Sequence, residues 1–216
     1  LYGQYKIPLE LFPSTGPYRI AQKLPVGVID CKTILLEHTL LPYLTRFVSE
    51  DKKAQALNSL MKGNPAESLY FVSNEWQGLQ YCPICYREDS QRYGEPYWHR
   101  EHQISLMPLC PKHKCRLLRY EASHQTIKSK LIPLCSIQCE NTDLIVETWE
   151  IQLTDMLNTF LTLPYHICMS DQYSNLRNAL INAGFGSSTI HKNYDVVDAR
   201  KVEEAVKTYF GPAIHN

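Results

Sequence analysis

The chain has 216 residues, of which 44% are hydrophobic and 20% charged, with 22 Lys+Arg balanced by 22 Asp+Glu. That length holds one large domain or two small ones, and the composition is that of a globular protein that can bury a core without cross-links. Zero net charge excludes a globally basic nucleic-acid binder, so any DNA contact must use a local patch. No apolar run approaches the roughly 20 residues needed to cross a bilayer, which points to a soluble, intracellular protein.

The chain begins at Leu1 without an initiator Met, as a fragment of a longer protein would. Its first stretch carries Pro8, Pro13, Gly16, Pro17, Pro25 and Gly27 and is expected to run over a surface with few helical turns. A helical pattern starts at Lys32 with Ile34, Leu35 and Leu36, and Pro42 can open a second helix. Ser49 reads as an N-cap, with Glu50 and Asp51 in the favourable first turn. Ala54, Leu57, Leu60 and Met61 form the apolar face, and Gly63 stops the helix. A short helix is expected over residues 65–72.

Between Tyr81 and Tyr120 the helical period fades and Cys, His, Pro, Arg and aromatic residues cluster, as in a small metal-organised unit. Residues 121–148 look irregular. A second helical stripe (Trp149, Leu153, Met156, Leu157, Phe160, Leu161) ends at Pro164, and a third (Tyr173, Leu176, Leu180, Ile181) ends at Gly184. After a polar turn at Gly186–Thr189, a last helix carries Val202, Ala205, Val206 and Phe210 on one face, with Asp195 as its cap. The expected architecture is therefore mainly α: a helical N-terminal region (1–75), an embedded zinc-finger unit (76–140) and a helical, helix-turn-helix-like region (141–216).

Eight cysteines stand at 31, 82, 85, 110, 115, 135, 139 and 168. They read as metal ligands plus buried thiols rather than a disulfide framework. The strongest pattern is Cys82-Pro-Ile-Cys85 followed by Cys110-Pro-Lys-His113. Two ligands two residues apart can close on one tetrahedral ion, and a returning pair completes the shell. Three thiolates and an imidazole suit zinc, and a filled shell leaves no position for a reactive water, so the site is structural. Cys135 and Cys139 form a looser pair that could hold a second zinc with Cys115 and His124. Cys31 and Cys168 read as buried thiols. One or both of His99 and His102 are expected to hydrogen-bond within the zinc unit, with Trp98 packed in its small core. No nucleophile or open metal site is visible, so no enzyme activity is expected.

From Cys82 to Arg119 seven basic residues outnumber four acidic ones. Arg100, Lys112, Lys114 and Arg119 are candidate phosphate contacts, and Ser187, Ser188, His191, Lys192 and Asn193 are candidate base contacts.

The run from Tyr81 to Leu117 (YCPICYREDSQRYGEPYWHREHQISLMPLCPKHKCRL) resembles the zinc-binding core of the TniQ/TnsD family of transposon target-selection proteins. The segment Leu36–Val48 is similar to that family's EHTLLPY region, and residues 180–211 are similar to its GF turn and the helix ending in YFG. The resemblance implies a bacterial cytoplasmic, nucleoid-associated protein that binds double-stranded DNA at an insertion site. It also implies recruitment of a AAA+ ATPase regulator, with no cutting or joining of DNA by the protein itself. By the same resemblance, Cys82, Cys85, Cys110 and His113 are the zinc-finger ligands. The alternative is a zinc-stabilised protein-interaction module that docks the ATPase without reading DNA.

Overall fold

The Pro- and Gly-rich start holds a helix, contrary to expectation: α1 (Gly16–Lys23) places Pro17 in its first turn, where a fixed φ and a missing N–H cost nothing. The computed structural model describes residues 15–66, 78–120, 132–140, 145–187 and 196–210, and these are mainly helical, as expected. They form two units, one of residues 1–46 and 50–167 and a smaller one of 47–49 and 168–216. Among the described residues no helix is long and apolar enough to cross a membrane.

In the larger unit, α2 (Cys31–Glu37) is capped by Asp30, whose carboxylate accepts from Thr33 N at 2.8 Å. Helix α3 (Leu41–Leu44) has Pro42 in its first turn, and α4 (Glu50–Met61) begins with Glu50 and Asp51 as expected. Leu35, Leu41, Ala56 and Leu60 make one buried cluster. Gly63 follows α4 at φ +75°, and a Cβ there would lie 2.6 Å from the Tyr18 ring, so α1 reaches this end of α4 only over a glycine.

The inner face of α4 differs from the expected one. Lys53, Ala56 and Leu60 are buried, whereas Ala54 and Met61 are exposed. The face rotates because Lys53 is drawn inward: its ammonium donates to Ile167 O at 3.1 Å and lies 4.3 Å from the Tyr165 ring centroid.

A second cluster joins Leu40, Ile104, Met107, Leu157 and Leu161. Leu157 and Leu161 come from α6 (Thr148–Thr162), which starts with a capping box between Glu147 and Glu150. On its expected stripe Leu157 and Leu161 are buried, but Met156 is 48% exposed and Thr154 and Glu150 face inward instead. Glu150 is drawn in by Arg116, whose guanidinium grips both carboxylate oxygens, Nη2 to Oε2 at 2.9 Å. The other end of α6 is closed by Arg46, fully buried. Its guanidinium donates to the carbonyls of Phe160 (2.8 Å), Leu163 (2.8 Å), Pro164 (3.1 Å) and Ile167 (2.9 Å). Phe160 O and the C-cap carbonyl of Leu163 belong to the end of the helix, where carbonyls lack partners within it; Pro164 O and Ile167 O lie in the turn that follows.

Between Tyr81 and Tyr120, where the helical period fades in the sequence, α5 (Pro83–Tyr93) nevertheless forms. Cys82 caps it, its sulfur accepting from Cys85 N at 3.4 Å, and Gly94 at φ +87° ends it. Strands β1 (Leu79–Tyr81) and β2 (Leu118–Tyr120) pair antiparallel, Gln80 opposite Arg119. From residue 67 on, the helix expected over 65–72 lies outside the described residues.

In the smaller unit, α7 (Ser170–Leu180) runs into a wide turn at Ile181–Phe185. Then β3 (Gly186–Ser187) pairs antiparallel with β4 (Val196–Val197), and α8 (Ala199–Phe210) follows. The turn before the last helix is thus longer than expected and folds back as a ribbon. The cap of α8 is Asp198, which accepts from Arg200 N at 3.1 Å, rather than Asp195, which lies outside the described residues. Tyr173 and Leu176 have the spacing of a buried stripe but are 60% and 57% exposed. Cys31 and Cys168 are half-buried rather than buried, each with its thiol against a carbonyl, Leu60 O and Val48 O respectively.

Candidate metal centre

Cys82 and Cys85 sit at the N-terminus of α5, and Cys110 and His113 on a tight turn between the Leu109–Arg116 bridge and its return. The two pairs are built alike. Cys85 N donates to Cys82 Sγ and His113 N to Cys110 Sγ, both at 3.4 Å, while Tyr86 N and Lys114 N close the turns onto Cys82 O and Cys110 O. The three sulfurs and His113 Nδ1 lie within 4.8 Å of one another, a group that could hold a metal ion.

The edges decide the fit. Nδ1 is 3.4 Å from Cys82 Sγ, 3.3 Å from Cys85 Sγ and 3.6 Å from Cys110 Sγ, and Cys85 Sγ is 3.7 Å from Cys110 Sγ. A tetrahedral ion with zinc-like bond lengths spans edges of about 3.5–3.8 Å. The chemistry agrees. Hydrogen bonding from Cys110 and Cys85 holds the Cys82 thiol far below its ordinary value, the bond to Cys110 pushes Cys85 far above it, and the bond to Cys82 lifts Cys110 to about 11. Three sulfurs this close cannot all ionise alone, and a divalent cation is what lets them. On the outer side, Glu88 Oε2 stands 3.2 Å from His113 Nε2 and also takes the Lys112 ammonium.

Around the centre, His99 bridges two carboxylates, Nε2 to Asp89 at 2.8 Å and Nδ1 to Glu101 at 3.2 Å. Trp98 Nε1 donates to Ile132 O at 2.7 Å, and its ring meets Tyr81 and Tyr120, as expected of a small core. The Gln103 side-chain amide accepts from Gln80 N at 3.0 Å and donates to Gln80 O at 2.7 Å. Of the two histidines His99 supplies the expected bonding; His102 is 1% exposed, and neither of its ring nitrogens has a hydrogen-bond partner among the described residues. Burial accordingly holds its pKa down at about 4.

A pH dependence follows from this depressed value. The unfolded chain takes up the His102 proton near its ordinary 6.5, the folded chain only near 4, so stability is full above 6.5 and is lost as pH falls to 4. The loss is about 3 kcal/mol. Burial also disfavours the charged His99 ring, but its bonds to Glu101 and Asp89 raise it above its ordinary value, which offsets part of the loss. Urea midpoints taken across this range should fall less steeply for His102→Leu than for the wild type. Parallel curves would refute the assignment.

The candidate DNA contacts are placed unequally. Arg100 is half-buried and donates to Leu36 O at 2.7 Å and Thr39 O at 3.3 Å, so it serves the fold. Lys112 pairs with Glu88 and Lys114 with Asp155, while Arg119 is exposed on β2. Ser187 lies on β3, and Ser188, His191, Lys192 and Asn193 lie outside the described residues. Of the proposed second zinc set, Cys115 is buried at the first cluster, Cys135 is exposed, Cys139 lies near Pro83 O, and His124 is outside the described residues. Arg46, Lys53 and Glu88 were not singled out in the sequence. The spacing of Glu88, three residues after Cys85 on a helix, was the available signal for it.

Residues 19–117 match the TniQ family model, a range that includes all four cluster residues. The chain is also similar to the transposon Tn7 transposition protein TnsD of Escherichia coli, 28% identical over 124 residues that cover 52% of this chain. The match spans 24% of that protein's length. Over residues 19–117, which hold the Cys3His cluster, the chain thus resembles the TniQ family.

Proposed function

We propose that the chain is part of a transposon's target-site selector: it binds double-stranded DNA at the insertion site and recruits a AAA+ ATPase regulator, without cutting or joining DNA itself. The observation that carries this reading is the TniQ match, with the whole Cys3His cluster inside it, together with similarity to a transposition protein. In this reading the ion is zinc, held by Cys82, Cys85, Cys110 and His113, and four protein ligands make it a structural ion. Arg119 and the exposed Lys112 are the phosphate contacts this reading favours. Base contacts are assigned to the segment from Ser187 through His191, Lys192 and Asn193.

The second reading, a zinc-stabilised module that docks the ATPase without reading DNA, has its own support. Arg100, Lys112, Lys114 and Arg116 are all engaged within the fold, and net charge is zero. A fluorescence titration against duplex DNA at several salt concentrations, with metal content assayed on the same sample, separates the two. DNA reading predicts one zinc per chain, affinity that falls steeply with salt, and weaker binding in Arg119→Ala and Lys192→Ala. One zinc with no binding at low salt would leave the docking module.

A further inference from the structure

Cys115 lies at the centre without belonging to the ligand set described above. Its sulfur is 3.4 Å from Cys82 Sγ, as short as the edges among the four ligands, and it is fully buried with Cys82, Cys85 and Cys110. The chain takes a strained route to bring it there. Lys114, between His113 and Cys115, has φ +51°, the left-handed region that non-glycine residues seldom adopt. That turn lets both of its neighbours face the cluster, and Cys110 N locks it by donating to Cys115 O at 2.8 Å. His113 meanwhile is the outermost member, only half-buried, its outer nitrogen facing the half-exposed Glu88.

We propose that Cys115 is an alternative ligand of this centre, able to take the place of His113 so that a soft cation is held by four thiolates. The proposal rests on the reading that the cluster holds a metal. In the exchange the His113 nitrogen–metal bond breaks, Cys115 releases its thiol proton to solvent, and a sulfur–metal bond forms beside Cys82. The thiolate set favours the more thiophilic of two competing ions, such as cadmium over zinc.

The test uses the full chain titrated with Co2+, whose sulfur-to-metal charge-transfer absorption grows with the number of thiolates. His113→Ala should bind one ion per chain, with absorption per ion about a third stronger than wild type, four sulfurs against three. Adding Cys115→Ala should lower its affinity on the order of 10- to 100-fold. Absorption in His113→Ala at or below the wild-type level, or equal affinity in the single and double variants, would overturn the proposal. Should His113→Ala fail to fold, wild type and Cys115→Ala are compared in Cd2+/Zn2+ competition. A several-fold stronger preference for Cd2+ in the wild type supports the exchange, and equal preference overturns it. Absence of any bound ion in the wild type would instead sink the metal reading itself.

Discussion

On the zinc reading, removing the metal is expected to melt the cysteine-organised part of the segment from Leu79 to Tyr120 while leaving much of the helical signal. The reason is what else that segment has to hold it. Among the described residues, its cysteine cluster has Ile84 and Leu117 packed against it as partly buried apolar neighbours, Ile104 and Met107 belong to the second core, and its sheet is two strands of three residues each. The part around the cysteines has little apolar surface of its own to offset the entropy of ordering its chain. A structural zinc contributes about 10–16 kcal/mol of apparent binding energy in isolated fingers, and the zinc reading makes that folding energy here as well. A chelator, or Cys82→Ser combined with Cys85→Ser, should abolish the near-ultraviolet circular dichroism of Trp98 and Tyr81 and expose amides 79–120 to hydrogen exchange. Helices α2 to α4 have their own cluster of Leu35, Leu41, Ala56 and Leu60 and should keep their far-ultraviolet signal. Restoration by added Zn2+ but not Mg2+ completes the test. Unchanged exchange in the stripped protein would show that the cluster is not what organises the segment.

The second large effect belongs to Arg46. Replacement by Met should lower stability by a few kcal/mol, since each buried acceptor left without a donor costs about 1–3 kcal/mol. Met fills the space, but the carbonyls of Phe160, Leu163, Pro164 and Ile167 then face the interior with their guanidinium donors gone. Arg46→Lys should recover only a fraction, because one compact ammonium cannot span acceptors that a planar fork reaches. Urea unfolding with both variants checks this, and a Lys variant as stable as wild type would contradict the geometry.

These two features were unequally visible in the sequence. The ligand pattern was legible because each knuckle is local, its two ligands separated by two residues. The same residues hid helix α5, since a Pro after a cysteine reads as a tight turn and here begins a helix capped by the cysteine's own sulfur. Arg46 and Lys53 were illegible for the opposite reason. Their acceptors lie 114 or more residues away in the chain, so their burial is a tertiary fact that no local period carries. The start of α8 was misplaced because polar residues on both sides of Asp195 look equally suited to cap, and the ribbon that delays the helix has strands of only two residues. Leu157 and Leu161 were read correctly, where apolar spacing and core coincide.

The side chain of Gln103 does the work of a third strand. Its amide offers β1 both an acceptor and a donor at Gln80, so the outer margin of this small sheet is already saturated by its own chain. Open margins of that kind invite pairing with foreign strands. A side-chain plug blocks such addition without lengthening the sheet, and Gln103→Leu, which leaves Gln80 N–H and C=O bare, should turn a self-contained surface into one prone to self-association.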